Sequence, residues 1–214
     1  MMLICFGKIP TKIGINQLSE AVRRAFGSTN EQYIEEIERR GDEKGKIHSL
    51  AALLCLKNAL DTLEGDGTSQ NFKLARAENG KPHFENSTLQ FGISHSHGYV
   101  ACVLSDEGAV GIDIEATNLT DERAVRLSER YFGSSSITRD AKVFAREWTK
   151  KEAEVKLYGG RLGEHLTKEK SLKNVGNEIK NVFFTEFEID GYPITLCTET
   201  MPSEIQKIDV KFDF

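Results

Sequence analysis

The chain has 214 residues, 39% of them hydrophobic and 29% charged, which suits one large domain or two small ones around a real core. Lys and Arg number 28 against 33 Asp and Glu, a formal net charge of −5, so non-specific nucleic-acid binding, which neutralises phosphates, is disfavoured, while a local basic cluster could still hold a small anion. No apolar run approaches the ~20 residues that cross a bilayer, and the opening "MMLICFGKIP" has neither the length nor the basic lead of a secretory signal.

In chain order, "NQLSEAVRRAF" and "NEQYIEEIERR" carry apolar residues at helical spacing, each opened by an Asn suited to N-capping. "KIHSLAALLCLKNAL" is apolar on more than one face and predicts a buried helix, and "GDGTSQ" predicts a loop. The period then changes. "LQFGISH", "YVACVLS" and "AVGIDIE" are short β-branched runs separated by "SHG" and "DEG", and predict consecutive strands with two hairpin-like connections. "TDERAVRLSERYF" returns to helical spacing behind Thr120 as cap. A longer helix is predicted from about Thr138 to Tyr158, stopped by Gly159-Gly160. "NVFFTEFEIDGYPITLCTE" predicts a hairpin turning at Asp190-Gly191, and "IQKIDVKFDF" a last strand. The order helices, strands, helices, strands predicts an α+β fold of two units, 1–107 and 108–214. Cys5, Cys55, Cys102 and Cys197 lie far apart inside apolar runs without a C-x-x-C pair, and read as buried thiols of a cytoplasmic protein.

Four segments carry candidate chemistry. In "VGIDIE", strand alternation puts Asp113 and Glu115 on one face and Val110, Ile112 and Ile114 on the other. A lone D-x-E is ordinarily a solvated sheet edge; in so apolar a strand the paired acids suit a cation, and oxygen-only ligands favour Mg²⁺. In "FAREWTKKEAEVK", Phe144, Trp148, Glu152 and Lys156 are spaced by four. Glu before Lys at this spacing is ordinarily an exposed ion pair of a few tenths of a kcal/mol. Continuing an aromatic stripe, the pair instead suggests a helix whose far end lines a cleft. In "GISHSHG", His95 and His97 share a parity, but no further Cys or His has zinc-ligand spacing; the segment is either an anion-binding turn or an exposed one. "NGKPHF" alone is a turn with an exposed Lys81.

Taken together and in order, "GKP", "FGISHS", "VGIDIE" and "WTKKEAEVK" resemble the surfactin-type (Sfp-like) 4'-phosphopantetheinyl transferases, over roughly residues 80–160. The resemblance implies a pseudo-two-fold pair of α+β halves with the active site in the cleft between them. It also implies transfer of the phosphopantetheine arm of coenzyme A to a serine of an acyl or peptidyl carrier protein, with Mg²⁺ and release of 3',5'-ADP. By position, Asp113, Glu115 and Glu152 would hold the metal, Glu152 would also serve as base, and Lys156 would meet the leaving phosphate. Lys81 and Pro82 would border the nucleotide, Ser94 and His95 would contact coenzyme A phosphates, and Lys151 is the first lysine of the signature.

One departure stands out: such proteins often carry Arg before Ser or Thr near the 3'-phosphate, and here the pair is His48-Ser49, so that grip would be either weaker or shared with Lys44 and Lys46. The remaining readings are a catalytically silent coenzyme A-binding module and a metal-dependent phosphohydrolase. Lys150, Lys151 and Arg161 form either a carrier-protein contact or a solvated helix face. Internal pseudo-symmetry favours a monomer, with no nucleic-acid or membrane partner.

Overall fold

The computed structural model describes residues 1–132, 139–160 and 181–212. The strands are β1 (Met2–Lys8), β2 (Leu74–Arg76), β3 (Pro82–Phe84), β4 (Gln90–Ser96), β5 (Tyr99–Ser105), β6 (Val110–Ile114), β7 (Phe183–Ile189), β8 (Tyr192–Thr198) and β9 (Ile205–Asp209). The α-helices are α1 (Ile15–Phe26), α2 (Glu31–Glu38), α3 (Glu43–Glu64), α4 (Asp121–Phe132) and α5 (Ala141–Tyr158). The fold is α+β.

The main sheet runs β4-β5-β1-β9, a second runs β6-β8-β7, and β2-β3 form a short ribbon. Alternation along β1 explains the layering. Leu3 and Cys5 point into a core shared with α1, α2 and α3, whereas Met2 and Ile4 point into a second core shared with Ile112, Ile114, Ile194 and Leu196 of the other sheet. β1 is therefore buried on both faces, which is why its sequence is a continuous apolar run rather than an alternating one. Its edge is filled in parallel by β9, with Cys5 opposite Ile208. α5 covers the outer face of the second sheet, its Ala153 and Leu157 packing with Cys197 of β8.

The α3 helix is buried from His48 through Leu56, and starts at Asp42, whose carboxylate accepts from the Gly45 N–H at 2.9 Å. The two Asn caps expected on α1 and α2 do not form. Asn16 lies inside α1, which is preceded by Gly14. Asn30 does precede α2, but its side chain is buried and spent elsewhere: it donates to Phe26 O (2.8 Å) and Phe72 O (2.9 Å) and accepts from Leu74 N (2.7 Å). A buried amide finds more partners there than at an exposed helix end.

Of the two hairpins expected among β4, β5 and β6, one forms. His97 (φ 46°) and Gly98 (φ 87°) make a two-residue turn between β4 and β5. β5 and β6 do not pair; β6 leaves for the second sheet and pairs with β8 instead. The later hairpin turns at Asp190 (φ 51°) and Gly191 (φ 82°) as its sequence indicates. The expected start of α5 near Thr138 falls among residues outside the described ones; the helix is described from Ala141, behind the Asp140 cap.

The double-sided burial of β1 makes Ile4→Ala a core truncation with a cost of about 2–5 kcal/mol. Met201→Ser, at a side chain 76% exposed, should stay within ~0.5 kcal/mol of wild type. Urea unfolding of both variants checks this; equal effects would contradict the layering.

Candidate active site

Two edge strands, β4 of the main sheet and β6 of the second, meet through serines. Ser94 Oγ donates to Asp113 Oδ1 (2.8 Å) and accepts from Ile114 N (3.3 Å). Two residues on, Ser96 Oγ donates to Glu115 Oε2 (3.0 Å) and accepts from Ala116 N (3.2 Å). The S-x-S of β4 and the D-x-E of β6 thus run in step because both strands repeat with period two. Each hydroxyl bridges an acid and the N–H of the next residue. The hydroxyls at even positions face the acids; His95, at the opposite parity, faces away.

The third wall is α5. Its most buried stripe is Ala145, Thr149, Ala153 and Leu157, which lies against β6 and β8, with Thr149 Oγ1 2.8 Å from Thr195 Oγ1. The stripe Phe144-Trp148-Glu152-Lys156 sits one residue along and forms the flank. At one end Phe144 and Trp148 stack with centroids 5.6 Å apart and Tyr131 of α4 packs edge-on to Trp148 at 4.9 Å. At the other end Lys156 Nζ donates to Asp113 Oδ1 (2.5 Å) and Ser94 Oγ (2.8 Å). The approach is close because β6 carries Gly111: a Cβ there would fall 2.1 Å from Ala153 O and 2.5 Å from Leu157 N.

The electrostatics follow from this crowding. Burial pushes the Asp113 carboxyl above its ordinary value, against the pull of Lys156 and Ser94. Burial, then the neighbouring Asp113, pushes Glu115 up to about 7. Glu152 on α5 is raised by burial and by Asp113, and lowered by Lys156. Asp113, Glu115 and Glu152 therefore share one field with the Lys156 ammonium.

The residues fit a divalent oxygen-loving cation. Asp113 Oδ2 is buried and has no hydrogen-bond partner among the described residues, while its other oxygen takes both Lys156 and Ser94. Among the described residues no group of three ligating side chains is assembled as a cage. Mg²⁺ does not require one, since one or two carboxylates with waters and substrate phosphates suffice.

A cavity of about 740 Å³ opens beside Lys156 and is lined by Lys81, Pro82 and Ile93 among others. Lys81 is not a free surface cation: its ammonium donates to Leu157 O (2.6 Å) and Val110 O (3.2 Å), and burial lowers its value. On the other face of β4, the His95 ring lies 4.7 Å from that of His48, and both imidazoles are held below their ordinary value, chiefly by desolvation. Next to His48, Ser49 Oγ accepts from Arg40 at 2.9 Å. Lys46 is half-buried on the first turn of α3 and, after Arg23 and Ser19, helps hold Glu38 below its ordinary value.

So the structure brings Asp113, Glu115, Glu152, Lys156 and Ser94 together, sets Lys81 and Pro82 on the adjoining cavity, and leaves His95, Ser49 and Lys46 on a separate wall. Lys150 pairs with Glu147 (3.0 Å) and Glu186 (3.2 Å), and Lys151 with Glu154 (3.2 Å); Arg161 lies outside the described residues. Sequence reasoning missed Ser96 and Arg40. Ser96 had a signal, since S-x-S shares the parity of D-x-E; Arg40, at the end of α2, had none.

No family model matches the chain. Curated proteins do. A 4'-phosphopantetheinyl transferase AcpT of Salmonella typhi is 30% identical over 159 residues, covering 71% of this chain and 76% of that protein. An AcpT of Escherichia coli O157:H7 is 28% identical over 137 residues, 58% of this chain and 64% of that one. A putative 4'-phosphopantetheinyl transferase of Haemophilus influenzae is 35% identical over 86 residues, 38% of this chain and 36% of that one. With acids and an ammonium gathered beside a cavity, these relatives mark the chain as a transferase. It belongs to the 4'-phosphopantetheinyl transferase family.

The raised acids have a measurable consequence. A carboxyl whose folded value lies above its unfolded one stabilises the fold while protonated. For Glu115 that contribution is complete below the unfolded value of 4.5 and is lost as pH climbs through about 7. At about 1.4 kcal/mol per unit, it amounts to about 2–3 kcal/mol between pH 5 and pH 8. Thermal melts in chelator should show wild type losing stability over this range more steeply than Glu115→Gln. Parallel profiles would contradict the shared field.

Proposed function

We propose that the chain transfers the 4'-phosphopantetheine arm of coenzyme A to a serine of an acyl or peptidyl carrier protein, with Mg²⁺, releasing 3',5'-ADP. We further assign it to the surfactin-type group, as a cytoplasmic monomer whose halves, 1–107 and 108–214, are related by a pseudo-two-fold axis with the site between them. The observation that carries the reading is Lys156 meeting Asp113 at 2.5 Å, in a field shared with Glu115 and Glu152, at the mouth of a cavity of about 740 Å³.

Asp113, Glu115 and Glu152 would hold the metal, Asp113 through its unpartnered Oδ2. When bound, the ion offsets negative charge on the pyrophosphate oxygens. The chain's own groups then have separate tasks. Glu152, raised above its ordinary value, is suited to accept the proton of the carrier serine. The serine oxygen forms a bond to the phosphorus bearing the pantetheine arm as the pyrophosphate P–O bond breaks, and 3',5'-ADP leaves with the electron pair. Lys156 faces that leaving charge and can neutralise or protonate it.

Pro82 and Lys81 border the nucleotide from the cavity wall. Ser94 and His95 would contact the coenzyme A phosphates from opposite faces of β4, and Ser49 with Lys46 would take the 3'-phosphate. Arg40, 2.9 Å from Ser49, supplies a guanidinium at the place where His48 cannot.

Incubating the protein with coenzyme A, Mg²⁺ and a panel of apo carrier proteins should add the mass of one phosphopantetheine arm to a carrier, read by intact mass spectrometry. Asp113→Ala and Glu152→Ala should each cut transfer by about 100-fold or more while circular dichroism stays native. Tight coenzyme A binding without transfer to any carrier would instead mark a silent binding module. Phosphate release from simple esters would mark a phosphohydrolase.

A further inference from the structure

The turn before β3 does more than border the cavity. Its Asn79 and Lys81 reach across to the end of α5, where the last carbonyls of any helix lack intrahelical partners. Asn79 Nδ2 donates to Tyr158 O at 2.9 Å, and Lys81 Nζ donates to Leu157 O at 2.6 Å. Asn79 O in turn accepts from Gly160 N at 3.1 Å, so the turn both gives to and takes from the chain leaving the helix. Lys81 Nζ also donates to Val110 O (3.2 Å), the first residue of β6. One ammonium therefore ties the end of the helix bearing Glu152 and Lys156 to the start of the strand bearing Asp113 and Glu115.

The turn is built for this. Asn79 Oδ1 accepts from Lys81 N (3.1 Å), and Ala77 N and Gly80 N close it onto Lys81 O (2.9 Å) and Ala77 O (2.8 Å). Gly159, with φ 76°, leaves room for it: a Cβ at 159 would fall 2.3 Å from Asn79 Nδ2. A cation at a helix C-terminus is also favoured by the helix dipole.

We propose that Asn79 and Lys81 are positioning residues, a lock that holds the C-terminal turn of α5 against β6 so that Lys156 and Glu152 stay in register with Asp113. The proposal rests on the transferase reading above for its kinetic arm and on geometry alone for its structural arm. Two of the three Lys81 donors are directed at carbonyls, which is the geometry of a cap.

The test uses Asn79→Asp, which keeps the shape and the acceptor for Lys81 N but removes the donor to Tyr158 O. Hydrogen exchange of the full chain, read by mass spectrometry, should show the 152–160 peptide exchanging about ten-fold faster than in wild type, with the β1 peptide unchanged. With coenzyme A, Mg²⁺ and an accepted carrier, kcat should fall about ten-fold while the KM for coenzyme A stays within about two-fold, since misplacement by a fraction of an ångström acts on the reacting geometry. A raised KM with kcat kept would make Asn79 a nucleotide contact and overturn the proposal, as would unchanged exchange. If wild type transfers nothing, the functional reading fails while the exchange arm still decides the lock. If Asn79→Asp does not fold, the wild-type Gly160 amide decides it: strong protection supports the bond to Asn79 O, and exchange at the free-peptide rate overturns it.

Discussion

A carboxylate buried at the seam of two sheets cannot stand alone, and Asp113 is 2% exposed. Burying an ion costs several kcal/mol unless a partner and hydrogen bonds compensate. Here compensation comes from two neighbouring elements at once: Ser94 of β4 and the Lys156 ammonium of α5, both working against the burial that favours the protonated form. Because each partner belongs to a different element, the seam forms only when β4, β6 and α5 are all in place. The ion pair is thus weak evidence for net stability and strong evidence for a specified arrangement, since removing either partner strands a charge.

Everything nearby is shaped to allow that contact. Gly111 lets the helix backbone lie on the strand, and the small stripe Ala145-Thr149-Ala153 lets it lie flat. The aromatics one residue along anchor the helix against α4 without entering the seam. The helix therefore delivers two charged side chains to a cleft from a rigid, well-packed base, the condition under which preorganised charges stabilise a reaction.

Much of this was legible in the residues. The four-residue spacing of Phe144, Trp148, Glu152 and Lys156 named the flank of α5, and period two in "VGIDIE" placed Asp113 and Glu115 on one side. Less legible were the relations between distant segments. "MMLICFGKIP" reads only as a short apolar run, yet it becomes the strand sandwiched by both cores, a fate that depends on α3 and the second sheet arriving on either side. The loop "DEG" has hairpin composition, but pairing went to β8, which offered β6 a partner with a matched apolar face. Asn30 was attractive as a cap and became a buried hub because three backbone groups converge on it. In "GISHSHG" the histidines drew attention as chemistry, while it is the serines that bond the acids.

The parallel pairing of β1 with β9 has a kinetic implication. β1 must keep an edge open until a segment far later in the chain, beginning at Ile205, arrives to fill it. Few contacts in the molecule join positions farther apart along the chain, and the entropy of closing so large a loop comes due before the sheet rewards it. During synthesis, an apolar strand with a vacant hydrogen-bonding edge is a template for unwanted association. Biogenesis, rather than equilibrium stability, is where this architecture is most exposed.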